Sequence, residues 1–255
     1  MRSLPGSAHS STNSVLLFPF LVLPMLSHVQ PPTQPNSLQL LSGKLQQLSH
    51  SLALGSLSDD LIAQLKTALT SVQLESLYQQ AISQPAYDFF PTPQPLIDKM
   101  LSLALLEPGM QLLEPSAGLG HICRHVRQLG INPDCFELSP LLQSALLLQG
   151  FSVIGQDFLA STPTAIYDRI LANPPFSRNG VARHSLHALD WLRPGGRLVT
   201  VSHRFQLKPS ATDRAFFRWL QGFDAHFYDC GLAFQHAERP CNIPIQLIVI
   251  DKPHW

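Results

Sequence analysis

The chain has 255 residues, of which 45% are apolar and 13% charged, a composition that describes a globular protein with a sizeable core and room for one α/β domain plus an extension. Seventeen basic residues balance seventeen acidic ones, so no whole-chain positive field announces a nucleic acid. The four cysteines, Cys123, Cys135, Cys230 and Cys241, form no C-x-x-C pair and have no histidine at metal-ligand spacing; they read as reduced core thiols in a cytoplasmic setting, with no metal site expected.

Residues 1–36 are rich in Ser and Pro. Their apolar run Val15–Leu26 carries Pro19 and Pro24 and is shorter than the roughly 18–20 residues that a spanning helix needs. Arg2 alone makes a weak signal-peptide start, and no small-x-small cleavage site follows. A disordered or leader segment with no membrane partner is expected, and Met25 is an alternative start. Residues 37–84 are rich in Leu, Gln and Ser, with Leu61, Ile62, Leu65, Leu69, Val72, Leu74 and Leu77 at helical spacing behind a Ser58-Asp59-Asp60 start signal. Two or three helices are expected there, suited to packing or self-association.

From residue 85 to 255 short apolar runs alternate with helical patterns. The strands expected are Gln111–Glu114, Cys135–Glu137, Ser152–Ile154, Arg169–Ala172, Arg197–Ser202, His226–Asp229 and Gln246–Ile250. The helices lie near Gly120–Leu129, Pro140–Gln149, Val181–Leu192 and Thr212–Gln221. Interleaving of this kind predicts a doubly wound, mostly parallel seven-stranded sheet. Ligands of such sheets bind beyond the carboxyl ends of the strands.

The residues with chemical potential fall at those strand ends. Leu113-Glu114-Pro115-Ser116-Ala117-Gly118-Leu119-Gly120 follows the first strand and opens a helix. Gly118 and Gly120 allow a tight turn and close approach of a ligand, and the helix start offers free N–H groups. A purely structural strand-to-helix turn uses glycine in the same way. The run is not G-x-G-x-x-G and lacks G-K-[ST], which disfavours nicotinamide and nucleoside triphosphates. Glu137 ends the second strand, 19 residues after Gly118, about where a carboxylate reaches ribose hydroxyls. Asp157 ends the third, placed to accept from an adenine amino group while Phe158 stacks. Either acid alone could be a solvated strand-end carboxylate; both in succession favour a ligand.

The fourth strand runs into Asn173-Pro174-Pro175-Phe176. The Asn173 side-chain oxygen and the Pro174 carbonyl can both accept from one planar –NH2. The prolines fix their own φ near −65° and hold the residues before them extended, so the acceptors are aimed in advance. Pro175 is geometric in this reading, and Phe176 supplies a flat face.

Taken in order, E-P-S-A-G-x-G, the acid after strand two, D-F after strand three and N-P-P-F after strand four resemble the class I S-adenosylmethionine-dependent methyltransferases. Within them the pattern looks most like the adenine-specific DNA amino-methyltransferases. The upstream Asp88-Phe89-Phe90-Pro91-Thr92-Pro93 is similar to the segment of that family that contacts the methionine end of the cofactor, which marks Thr92. The resemblance covers about residues 86–252. It implies S-adenosylmethionine bound by Thr92, Glu114, Ser116, Gly118, Gly120, Glu137, Asp157 and Phe158, and an amine held by Asn173 and Pro174 and stacked on Phe176. An adenine in duplex DNA would first be flipped out.

Between Arg178 and Arg218 stand eight basic residues against two acidic ones, a net of +6 that includes Arg193, Arg197, Arg204, Lys208 and Arg214. This stretch favours a nucleic acid acceptor, DNA ahead of RNA; the alternative is a solvated helix face, expected for Arg193 and Arg197. Trp255 follows the seventh strand closely, so no large target-recognition domain is expected, and a stand-alone modification-type or mobile-element enzyme fits better than a restriction-system subunit. RNA adenine and a protein glutamine amide are alternative acceptors, though the glutamine enzymes favour Tyr where this chain has Phe176. A catalytically silent binding module is the third reading.

Overall fold

The computed structural model describes residues 35–53, 58–83, 88–207 and 209–254; Val15–Leu26, Met25 and Lys208 lie outside them. The chain divides into two compact units between Ser76 and Leu77. The first unit holds α1 (Pro35–Ala53) and the start of α2 (Asp59–Ser83). Ser58 caps α2 as the sequence predicts, its hydroxyl accepting from the Leu61 N–H at 3.2 Å, and Asp59 and Asp60 place negative charge in the first turn.

The second unit contains a seven-stranded sheet made of β1 (Leu112–Glu114), β2 (Asp134–Phe136), β3 (Ser152–Gly155), β4 (Tyr167–Ala172), β5 (Leu192–His203), β6 (Ala225–Gly231) and β7 (Ile245–Asp251), in the order β3-β2-β1-β4-β5-β7-β6. The first five strands are parallel, and β7 runs antiparallel to both β5 and β6. Helices α4 (His121–Gln128), α5 (Pro140–Leu148), α6 (Gly180–Trp191) and α7 (Ala211–Leu220) match the expected spans closely.

One helix was not foreseen. α3 (Gln94–Ala104) buries Leu96, Ile97, Met100 and Ala104, and Pro95 sits in its first turn, where a missing N–H leaves no bond unmade. Alternate residues of the strands feed two cores. Ile170, Leu198, Ile248 and Ile250 pack with Trp191, Phe216 and Leu220 of the α6–α7 side. Leu171, Val199, Leu247 and Val249 pack with α3 and α4 on the other. All four cysteines are free; Cys123 and Cys135 are buried, and Cys230 and Cys241 are half-buried.

The chain steps from β1 outward to β2 and β3, then returns to lay β4 on the opposite side of β1. That reversal opens a crevice at the carboxyl ends of β1 and β4.

Candidate active site

A cavity of about 520 Å³ fills this crevice. At the end of β1, Glu114 is 2% exposed. Burial pushes its carboxyl up to about 8, although the Cys123 thiol pulls the other way by donating to Oε2 at 2.9 Å. Next along the turn, Pro115, Ser116 and Ala117 also line the cavity. Gly118 has φ +56, and a Cβ there would stand 2.5 Å from the Phe89 ring. Gly120 has a different role from the one expected. It caps α4 at φ +78, with its Cβ direction filled by Leu146 and Phe151, and it is not on the cavity wall.

Glu137, one residue past β2, accepts from the Gly118 N–H through Oε2 and from the Ser139 N–H through Oε1, each at 2.8 Å. Burial raises its pKa, and the backbone N–H groups of Ser139, Gly118 and Leu138 oppose the shift. The carboxylate is thereby fixed, with a second lone pair on each oxygen open to further donors. Asp157 is exposed and caps the short turn Phe158–Ala160, its Oδ1 accepting from the N–H groups of Leu159 at 3.0 Å and Ala160 at 3.3 Å.

Phe158 corrects the sequence reading. It is 3% exposed, and its ring packs against Phe136 at 5.4 Å, Trp191 at 5.8 Å and His184 at 5.8 Å. It is wall and core, not a free stacking face. The apolar residue left open on the cavity is Leu138, 64% exposed, which the sequence reading missed; its position directly after the strand-end acid was the available signal.

On the β4 side, the Asn173 amide is held at its nitrogen. Nδ2 donates to the Phe90 carbonyl at 2.9 Å and to Thr92 Oγ1 at 3.0 Å. A carbonyl can only accept, so the atom facing Phe90 must be the –NH2 group. Oδ1 therefore points the other way, and it is buried without a hydrogen-bond partner. Thr92, 6% exposed and expected as a cofactor contact, also lines the cavity and accepts from Asn173. The strap continues where Asp88 Oδ2 accepts from the Ser177 N–H at 2.7 Å and the Phe89 carbonyl accepts from Arg239 at 2.7 Å.

Pro174 is buried and Pro175 lines the cavity. Phe176 is half-buried against both cores, its ring 6.2 Å from Phe90 and off the cavity wall. The stacking role implied by resemblance is thus not presented here, because core packing occupies the ring. At the start of α6 a Cβ on Gly180 would lie 2.0 Å from the Pro175 carbonyl oxygen, so this glycine lets the helix close onto the motif.

Four basic side chains complete the rim, three of them from the basic stretch seen in the sequence and one, His121, from outside it. His184, whose pKa burial lowers, contacts the Gly180 carbonyl through Nδ1 at 2.9 Å. Arg178 and Arg183 line the mouth. His121 lies 3.7 Å from Glu238, whose carboxyl is held down to about 2, chiefly by His121.

The basic stretch is not one field. Arg193 pairs with Asp168, Arg197 grips Asp251 at 2.6 and 2.8 Å, and Arg204 pairs with Asp229 at 2.7 Å. These acids lie outside the stretch in sequence, so its local count overstates its free charge. Among the described residues, no group of three or more His, Cys, Asp or Glu could hold a metal ion, and no helix is long and apolar enough to cross a membrane.

No protein-family model and no curated protein matches the chain. Among solved structures, a chain from Listeria monocytogenes assigned to the class I S-adenosylmethionine-dependent methyltransferases superposes at TM-score 0.56 over 86% of this chain and 85% of that one, with 11% identity. The chain has the class I methyltransferase fold. A modification subunit assigned to a type I restriction enzyme from Vibrio vulnificus follows at TM-score 0.51 and 15% identity, covering 76% of this chain and 52% of that one. An assigned RNA methyltransferase from Pyrococcus horikoshii gives TM-score 0.50 and 18% identity, covering 71% and 98%. At these identities the class I likeness speaks to fold, and activity has to be argued from the site.

Proposed function

We propose that the chain transfers the methyl group of S-adenosylmethionine to an exocyclic amino group, foremost that of adenine in DNA. Asn173 carries this reading. Its Oδ1 is a buried acceptor with no partner, aimed by two bonds to its own nitrogen. An unpaired buried acceptor costs about 1–3 kcal/mol, and an incoming –NH2 removes that cost.

The residues on the β1–β3 side fit the methyl donor. The cavity volume is typical of a small-molecule site. Glu137 is locked by backbone donors and can still accept from two ribose hydroxyls. Leu138 offers an open apolar surface to a flat base, and Gly118, whose Cβ position is taken by the Phe89 ring, lines the same cavity. Glu114, neutral near pH 7 because of burial, would gain its charge beside a cation. When bound, S-adenosylmethionine supplies an electrophilic methyl group. Asn173 Oδ1 and the Pro174 carbonyl would accept hydrogen bonds from the two amine hydrogens, turn the nitrogen lone pair out of ring conjugation and hold it in line. The N–CH3 bond then forms as the S–CH3 bond breaks, S-adenosylhomocysteine leaves and one proton passes from the nitrogen to solvent. Catalysis on this account is positioning and hydrogen-bond electrostatics.

Incubation with methyl-tritiated S-adenosylmethionine and separate pools of unmethylated DNA, RNA and protein tests the proposal. Label in DNA is expected. Label in RNA or protein alone would refute the DNA acceptor while keeping the chemistry, and no label with the cofactor bound would refute the transferase reading in favour of a binding module.

A further inference from the structure

We infer that Arg178 and Arg183 form a phosphate clamp at the cavity mouth that seats the phosphodiester backbone on either side of the acceptor base. For its base this inference rests on the proposed amino-methyl transfer; the clamp itself rests on the fate of the arginines. Arg193, Arg197 and Arg204 are each committed to an aspartate, and Arg214 donates to the Pro209 carbonyl at 2.9 Å. Arg178 and Arg183 are exposed and line the cavity that also exposes Asn173. Among the described residues, neither guanidinium has an ion pair or hydrogen bond to another side chain. Of the aspartates on that cavity, Asp88 is engaged by the Ser177 N–H and Asp157 by the N–H groups of Leu159 and Ala160.

The backbone adds a second line of argument. Arg178 and its neighbour Asn179 stand in the left-handed region at φ 51 and 58, two residues past the N-P-P-F motif. Non-glycine residues there cost of order 1–3 kcal/mol each, and such strain collects at ligand sites. Here it turns Arg178 to the cavity and delivers Gly180 against Pro175. Planar guanidinium groups suit phosphate oxygens because two N–H donors match two acceptors. A base held at Asn173 leaves its own phosphates outside the cavity, at the rim where these arginines stand.

The test is a comparison of the full chain with the Arg178→Gln/Arg183→Gln double variant, with Arg204→Gln as the control. Binding of a fluorescein-labelled adenine-containing 12-mer oligonucleotide is followed by anisotropy from 50 to 300 mM salt. The double variant should bind at least tenfold more weakly at 100 mM salt, with a salt slope reduced by about 1.5, since each phosphate contact contributes roughly 0.7–0.9. The affinity of S-adenosylhomocysteine should stay within twofold, and Arg204→Gln should bind the oligonucleotide like the parent. Unchanged oligonucleotide binding in the double variant, or no binding by the parent chain, overturns the clamp. A loss of S-adenosylhomocysteine affinity instead assigns the anion to the cofactor carboxylate and also overturns it. Because binding is read without turnover, a clamp that holds in a chain that transfers no methyl group would refute the proposed function alone.

Discussion

The Thr92 hydroxyl accepts a hydrogen bond from Asn173 Nδ2 at 3.0 Å, joining residues 81 positions apart. With the Phe90 carbonyl it keeps the Asn173 amide from flipping. Thr92→Val keeps the shape and removes the acceptor, so transfer should fall about tenfold, the worth of a hydrogen bond near 1.4 kcal/mol. Thr92→Ser should recover most of it. Single-turnover rates measured beside cofactor affinity check this: a rate loss with unchanged cofactor Kd is expected, and a matching loss of Kd would mark Thr92 as a cofactor contact.

Asn173→Ala removes the acceptor oxygen that has no partner in the unliganded protein. Loss of one preformed hydrogen-bonding group at a reacting centre costs about 10²–10³ in rate. Cofactor binding, followed by calorimetry, should be unchanged within twofold. Full activity in this variant would overturn the mechanism.

Glu114 makes a prediction about stability and pH. Its folded pKa is raised from 4.5 to about 8 by burial, so the folded state keeps a proton that the unfolded chain loses. Its contribution is fully present below about pH 4.5 and is lost as pH rises through 8. Relative to Glu114→Gln, which does not titrate, the wild-type protein should lose up to about 1.4 kcal/mol per pH unit between those limits. Urea unfolding at pH 5, 6.5, 8 and 9.5 measures the difference. A gap that stays constant over that range would contradict the assignment.

Gly180→Ala tests the packing of α6 on the motif. The added methyl would meet the Pro175 carbonyl oxygen at 2.0 Å, a backbone atom that cannot swing away. Overpacking of this kind costs about 1–3 kcal/mol, and transfer should fall with it because Pro175 belongs to the acceptor loop. Denaturant midpoints and turnover on the same preparation give both readings; a silent substitution would show that the loop yields freely.

Much of this was readable in the sequence. The sheet followed from runs such as Arg169–Ala172 and Gln246–Ile250, since β-periodicity and flanking turns are local signals. The placement of Glu137 and Asn173 at strand ends followed with it. Ring roles did not. Phe158 and Phe176 stand beside motif residues, yet their faces are taken by Trp191, Phe136 and Phe90, partners set by tertiary packing. The charge of the basic stretch misled for the same reason, because Asp168, Asp229 and Asp251 approach it only in the fold. α3 was hidden by the proline-rich approach to it, Pro91-Thr92-Pro93-Gln94-Pro95.

The strap between residues 88–92 and 173–177 spans 81 to 89 positions, and this has a consequence in time. On a ribosome the upstream half emerges first and must wait for the whole β1–β4 region before its partners exist. Contacts of such separation form late and are slow to close. The β1–β2 and β2–β3 pairs, whose partners stand only 18 to 21 positions apart, can form before then. Acquisition of the acceptor geometry should therefore follow that nucleus and be lost early on gentle unfolding, so that activity would vanish ahead of the global transition.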